Sequence, residues 1–164
     1  MHYQDITDKV LSKFGKKYNI MKQQYFIDEN GNKYDVDGKN VKFKHTEREK
    51  EVANLLGNLY GGNVNLIPVV LEPKGIKTPD YIIDGNRFDL KEIEGTGKNT
   101  IYDVLSGKSK QSDNFIIDIS KTKMEEGEAI RQIERLYGSK HRKWVNGMIL
   151  IKRDKILKIY IRKK

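Results

Sequence analysis

Residues 114–120 form the sequence Asn-Phe-Ile-Ile-Asp-Ile-Ser, an almost unbroken apolar run. A strand of this kind is expected where helices cover both faces of a sheet. The neighbouring segments agree, because amphipathic helices are predicted over 99–111 and 125–138. From residue 46 onwards the predicted order is α-β-β-β-α-β-α-β-β. The sequence therefore predicts an α/β (α+β) fold with a mixed central sheet flanked by helices.

The first 45 residues are predicted to form a small appendage to a main domain over 46–164. A short amphipathic helix over 5–14 is followed by two or three short strands, which Asn30-Gly31 and Asp37-Gly38 separate. These segments are mostly polar, as is typical of an appendage.

The main domain begins with a well-marked helix. Thr46 can cap this helix, Glu49 occupies the capping-box position, and Gly61-Gly62 ends it. At the other end of the chain, residues 144–164 are predicted to form a hairpin that turns at Arg153-Asp154.

The charge balance points to a polyanionic partner. The 164 residues include 32 Lys or Arg against 23 Asp or Glu, a formal net charge of +9. Nucleic acid is the first candidate partner and an anionic membrane surface the second, while a lysine-rich surface without function is the alternative. The absence of cysteine excludes disulfides and thiolate metal sites. No apolar run approaches the length of about 20 residues that a membrane span needs.

Residues 78–95 carry charged side chains where a hairpin normally shows its packing pattern. Asp84-Gly85-Asn86 interrupts an apolar run, and either placement of the turn puts Asp80, Asp89 and Lys91 on one face. Two carboxylates that oppose each other across strands repel unless a cation lies between them. Mg²⁺ or Mn²⁺ suits such oxygen ligands. The alternative is an exposed hairpin whose charges are merely solvated.

The spacing Pro79-Asp80, eight residues, Asp89-x-Lys91 resembles the motif of the PD-(D/E)XK nuclease superfamily. A core order α-β-β-β-α-β over residues 46–119 fits that superfamily. The segments HTEREKEVANLL, TPDYIIDGNRFDLKEI and GKSKQSDNFIIDIS are most similar to the C-terminal tRNase domains of contact-dependent growth inhibition toxins. Related segments end other polymorphic toxins and some phage minor head proteins.

This resemblance implies a catalytic site. Asp80 and Asp89 would be ligands of Mg²⁺ or Mn²⁺, and Lys91 would lie at the attacking water or the scissile phosphate. A glutamate of the first helix completes the metal site, and Glu49 is preferred over Glu47 and Glu51 because it lies one turn before the inward stripe. In some toxin relatives the working lysine comes from the second helix, which adds Lys108 and Gln111 as candidates.

The resemblance also implies the partners. The substrate would be nucleic acid, with tRNA preferred, contacted by the basic residues Lys110, His141, Arg142 and Lys143. A cognate immunity protein would neutralise the domain, which is expected to be monomeric when free. The domain would act in the bacterial cytoplasm after delivery as the C-terminal part of a larger toxin or phage protein.

Three other functions stay open on the sequence. The same fold also serves DNA endonucleases. A metal-independent ribonuclease could instead use His45 and His141 for acid-base chemistry with attack by the ribose 2′-hydroxyl. A nucleic-acid-binding module without catalytic activity is the third alternative.

Overall fold

The computed structural model describes the whole chain, Met1–Lys164. The fold is mixed α+β with a central mixed sheet flanked by helices, which confirms the predicted fold class. Contacts divide the chain into two compact units. The first unit comprises Met1–Ser12, Asp89–Ser109 and Asp113–Lys164, and the second comprises Lys13–Phe88 and Lys110–Ser112. The boundary predicted at residue 46 is not among these division points.

Four α-helices and twelve strands make up the fold, with a 3-10 turn at Lys140–Arg142. The helices are α1 (Thr7–Leu11), α2 (Glu47–Tyr60), α3 (Thr100–Val104) and α4 (Glu126–Tyr137). None of them has the length and apolar character needed to cross a membrane. The strands are β1 (Tyr3–Asp5), β2 (Tyr18–Lys22), β3 (Tyr25–Ile27), β4 (Lys33–Asp35), β5 (Val41–Lys42), β6 (Gly62–Leu66), β7 (Val69–Val70), β8 (Tyr81–Ile83), β9 (Asn86–Glu92), β10 (Asn114–Asp118), β11 (Gly147–Lys152) and β12 (Lys155–Arg162).

In the first unit the strands β1, β12, β11 and β10 lie side by side in that order. β10 and β11 are parallel, whereas β12 runs antiparallel to both β11 and β1. Every residue of β10 is buried, as its apolar run predicts. Ala129, Ile133 and Leu136 of α4 belong to the same hydrophobic cluster as Phe115 and Ile117 of β10. The core of this unit is therefore built on the strand that the sequence marks most clearly.

In the second unit the order is β9, β8, β6 and β2, with β2 parallel to β6 and the other pairs antiparallel. The strand β9 begins in this unit and continues into the first. Helix α2 starts as predicted: Thr46 and Glu49 form a reciprocal capping box, and Gly61 follows the last turn with φ at 72°. Val52 and Leu56 bury the inner face of α2.

The hairpin β8–β9 has its turn at Asp84-Gly85. Ile83 pairs with Asn86 and Tyr81 with Phe88, which selects one of the two registers that the sequence allows. Asp84 and Gly85 both have positive φ, 51° and 77°, as a two-residue hairpin turn that follows the sheet twist requires.

Several predicted elements are wrong in extent. The helix predicted over 99–111 ends at Val104, because Gly107 takes a positive φ of 73° and the chain turns there. Lys108 and Gln111 therefore do not share a helix face. The helix predicted over 5–14 spans only Thr7–Leu11, and Phe14 is 48% exposed. Strands β1 and β2 were not predicted.

Gly57 of α2 is required by the packing of Tyr18. A Cβ at residue 57 would lie 2.3 Å from Cδ2 of that ring, which a 2.7 Å hydrogen bond from its hydroxyl to Asn54 Oδ1 holds in place. Gly57→Ala is therefore expected to lower the free energy of unfolding by about 1–3 kcal/mol, measured by urea denaturation.

Gly127→Ala is the matched control. Gly127 lies in α4, where the nearest atom to an added Cβ is Arg131 Nη1 at 3.5 Å. Without a clash, alanine is expected to raise stability by up to about 1 kcal/mol through helix propensity. A Gly57→Ala protein as stable as the unaltered one would contradict the close packing of Tyr18.

Candidate functional site

The second unit contains a cavity of about 350 Å³ that collects several predicted site residues. Two carboxylates, two lysines, a histidine and a glutamine share its wall with apolar side chains. The lining residues are Lys44, His45, Glu49, Ile67, Val69, Val70, Ile76, Lys77, Thr78, Pro79, Asp80 and Gln111.

Glu49 and Asp80 meet in this cavity. Burial raises the pKa of Glu49, but hydrogen bonds with Asp80 and Thr46 and the charge on His45 outweigh burial, so the pKa lies below its ordinary value. Glu49 is thus in hydrogen-bond contact with a second carboxyl group. Among the candidate glutamates it is the one beside Asp80, since Glu47 and Glu51 form exposed ion pairs with neighbours on α2.

The backbone of Asp80 is held from two sides. Its carbonyl accepts a hydrogen bond from Ile67 N at 3.1 Å and lies 3.2 Å from His45 Nε2. The next residue, Tyr81, donates its hydroxyl proton to the carbonyl of Glu49. The start of α2 and the strand β8 are thereby tied together where the two carboxylates meet. His45 Nδ1 is buried without a hydrogen-bond partner.

Gln111 reaches the same cavity from a loop and not from a helix. Its amide nitrogen donates to the carbonyl of Thr78 at 3.2 Å. Arg87 anchors this loop, because its guanidinium donates to the Lys110 carbonyl at 2.8 Å and its own carbonyl accepts from Ser112 Oγ at 2.8 Å. Gln111 thus braces the residues just before Asp80.

Asp89 and Lys91 form an ion pair in the first unit. Lys91 Nζ lies 2.7 Å from Asp89 Oδ2, and the two side chains are only 14% and 2% exposed. Removing one partner of such a buried ion pair strongly lowers the stability of the folded protein. The predicted roles of Asp89 as a metal ligand and Lys91 at the phosphate stay predictions.

The predicted nucleic-acid contacts differ in exposure. Lys110, His141 and Lys143 are exposed. Lys108, predicted as the alternative working lysine, is half-buried. Arg142 is only 8% exposed, and its guanidinium donates to the carbonyls of His141 and Tyr102. The basic sequence around residue 142 does not reveal that one of its cations is buried.

The Glu49–Asp80 pair has the donor chemistry of a magnesium site. No three His, Asp or Glu side chains lie close enough to form a metal site by themselves. Mg²⁺, however, is commonly bound through one or two carboxylates, with water and substrate phosphate completing its octahedron. Two carboxylates in contact repel each other when both are ionised, and a divalent cation removes that repulsion. These residues therefore fit Mg²⁺ or Mn²⁺.

Lys44 and Thr78 were not predicted as site residues. They lie close in sequence to His45 and Asp80 and line the same cavity. Closeness in sequence to Asp80 and to the first helix was the only indication that these residues belong to the site. That indication is weak, because the chain has many other exposed polar residues.

The family model for the contact-dependent growth inhibition CdiA C-terminal domain matches residues 77–156 of the chain. Among solved structures, the fold is similar to a chain of the CdiA-CT/CdiI toxin and immunity complex from Burkholderia pseudomallei, with a TM-score of 0.54 and 22% identity over 88% of this chain and 100% of that chain. No curated protein matches the chain. The segment from Lys77 to Ile156, which contains Asp80, Asp89 and Lys91, is therefore similar to CdiA C-terminal domains.

Proposed function

We propose that the chain is a toxin-type endonuclease that hydrolyses phosphodiester bonds, with tRNA as its substrate and Mg²⁺ or Mn²⁺ as its cofactor. The contact between Glu49 and Asp80, inside a cavity that two lysines border, is the observation that carries this proposal. The similarity of residues 77–156 to CdiA C-terminal domains supports a toxic activity. The PD-(D/E)XK motif adds the expectation of hydrolysis.

The cavity supplies the groups that this chemistry needs. A divalent cation, when bound, polarises a phosphate oxygen and lowers the pKa of a water molecule. Glu49 and Asp80 are the residues that would hold it. Lys44 and Lys77 border the cavity and are exposed, so they can neutralise the backbone phosphates that enter it. Gln111 and His45 keep the segment around Asp80 in place through its backbone carbonyls.

Asp89 and Lys91 are proposed members of the catalytic machinery on the strength of the motif. In this role Asp89 would act as a metal ligand, and Lys91 would stabilise the negative charge that grows on the phosphate during attack. Lys108 is retained as the alternative working lysine.

The charge and the solved relative guide the choice of partners. A net charge of +9 suits a compact polyanion such as tRNA. The structurally similar chain comes from a CdiA-CT/CdiI toxin and immunity complex. We therefore propose that a cognate immunity protein, acidic enough to complement this charge, neutralises the domain in the bacterial cytoplasm.

The decisive experiment compares substrates and metal dependence. The purified chain is incubated with total RNA or with plasmid DNA, in Mg²⁺ or in excess EDTA. We expect tRNA to be cut at one or two sites in Mg²⁺, cleavage to stop in EDTA and to return with excess Mg²⁺, and substrate binding to weaken steeply as salt rises. Plasmid DNA nicked faster than tRNA would replace this proposal with a DNA endonuclease.

A histidine-based ribonuclease is the second candidate, because His45 lines the same cavity. It predicts full cleavage of RNA in EDTA and its loss in His45→Gln. Cleavage that EDTA abolishes would exclude this candidate.

A further inference from the structure

An arginine lies against one face of a tyrosine ring in the first unit. The Arg142 guanidinium carbon is 3.9 Å from the centre of the Tyr102 ring. The same guanidinium donates to the Tyr102 carbonyl at 3.1 Å and to the His141 carbonyl at 3.1 Å, so its position is fixed. The guanidinium thus supports one face of the Tyr102 ring.

Tyr102 also lines a cavity of about 260 Å³ within this unit. Arg142 is absent from the wall, so the ring face that it covers is turned away from the cavity. The lining residues are Asn99, Tyr102, Asp103, Gln132, Arg135, Leu136 and Ser139. The cavity thus combines an aromatic ring with polar side chains and is large enough for one planar heterocycle.

The polar groups of the cavity differ in their availability. Gln132 is fully engaged, since its amide nitrogen donates to Gly97 O and Glu128 Oε2 and its oxygen accepts from Ile101 N. Asp103 is exposed, and its carboxylate makes no hydrogen bond or ion pair. The side chain of Asn99 forms no cap for α3. A rigid wall therefore presents a free carboxylate and a free amide beside the ring.

These groups define the chemistry of a ligand. An aromatic ring with a cation behind it favours a flat, polarisable partner, and bases of single-stranded nucleic acid stack on such rings. A carboxylate accepts hydrogen bonds only, so it selects a base edge that carries donors. Guanine offers two adjacent donors, N1–H and the exocyclic amino group, to one carboxylate. Arg135 lines this cavity, and the exposed Lys140 directly follows the lining residue Ser139 in the sequence. Both lysine and arginine add positive charge that can bind the phosphate backbone of the ligand.

We propose that Tyr102, backed by Arg142, is a stacking platform for an unpaired guanine of the nucleic acid substrate, and that Asp103 binds the Watson–Crick edge of that base. This inference rests on the proposed function as a nuclease. It assigns sequence preference to the first unit, whereas the carboxylate pair of Glu49 and Asp80 lies in the second.

Binding is measured with Asp80→Asn protein, so that cleavage does not consume the probe. The probes are fluorescein-labelled single-stranded RNA heptamers of uridine with a central guanine, adenine or uridine, read by anisotropy. We expect the guanine heptamer to bind about 10-fold more tightly than the other two, and Tyr102→Leu to weaken its binding by about 10-fold. Asp103→Asn is expected to abolish the preference for guanine while general binding persists.

Two further variants keep the test specific. Tyr102→Phe retains the ring and is expected to bind the guanine heptamer as the parent does. Tyr25→Leu removes an exposed tyrosine of the second unit and is expected to leave affinity unchanged. Thermal unfolding of each variant verifies that it is folded. Equal affinity of folded Tyr102→Leu and Tyr25→Leu for the guanine heptamer would overturn the platform.

A competition assay separates the possible sources of the base. Free guanosine monophosphate is expected to displace the heptamer only at far higher concentration, because it lacks the backbone contacts. If the mononucleotide bound tightly and the heptamer did not displace it, the assignment of the site to nucleic acid would be overturned. A chain that shows Tyr102-dependent guanine binding but no cleavage would refute the nuclease proposal and leave this site standing.

Discussion

Asp80→Asn is expected to reduce phosphodiester cleavage by at least about 100-fold without loss of folded protein. The substitution keeps the shape of the side chain and removes one of two contacting carboxylates. If Glu49 and Asp80 together hold a divalent cation, the remaining glutamate cannot bind it with the same affinity. The asparagine amide can still donate a hydrogen bond to Glu49, so the melting temperature is expected to stay equal.

The measurement is the initial rate of tRNA cleavage over a range of Mg²⁺ concentrations, together with thermal unfolding. Asp84→Asn is the matched control, because it makes the same change of charge on the exposed turn of the same hairpin. Its rate is expected to equal that of the unaltered chain. Equal rates for Asp80→Asn and Asp84→Asn would remove Asp80 from the site.

Lys91→Met is expected to lower the free energy of unfolding by about 3 kcal/mol. Methionine retains most of the apolar stem but removes the ammonium group 2.7 Å from Asp89. The Asp89 carboxylate, only 2% exposed, then loses this cation while it remains buried. Asp89 therefore differs from a hairpin charge that is merely solvated, which was the alternative interpretation of the sequence.

Urea denaturation of three variants measures this effect. Lys121→Met serves as control, because Lys121 pairs with Glu92 at 3.1 Å but is 59% exposed, and exposed pairs contribute less than about 1 kcal/mol. Asp89→Asn combined with Lys91→Met is expected to recover part of the loss, since the buried charge is gone. Equal losses for Lys91→Met and Lys121→Met would show that the buried pair is not energetically distinct.

This stability effect changes how activity data for Lys91 are interpreted. Substitution of Lys91 can inactivate the protein either by removing a catalytic group or by unfolding it. Cleavage by Lys91→Met is therefore informative only at temperatures where its unfolding curve shows a fully folded protein.

Local signals in the sequence were sufficient for part of the fold. The capping box of Thr46 and Glu49, the buried strand β10 and the turn at Arg153-Asp154 depend on neighbouring residues, and each was predicted. The choice between the two hairpin registers needed the structure, because both place the charged side chains on the same face.

Distant partners explain what the sequence did not reveal. Strand β1 is three residues long and is held by β12 from the other end of the chain. Arg142 is buried against Tyr102, 40 residues away, although its neighbours in sequence are exposed cations. Gln111 was predicted as a site residue on a helix face, yet it reaches the cavity from a loop that Arg87 holds. Contacts of this range leave no periodic pattern in the sequence.

The strand β2 has consequences for the behaviour of the protein in concentrated solution. One side of β2 pairs with β6, and the other side has no partner strand, while Ile20 and Met21 are exposed along it. Such an open edge can pair with the same edge of a second molecule. Lys17 and Lys22 lie at its two ends, so molecules that approach edge to edge meet like charges. The lysines that make the chain basic thus also protect it from aggregation, and high salt weakens that protection.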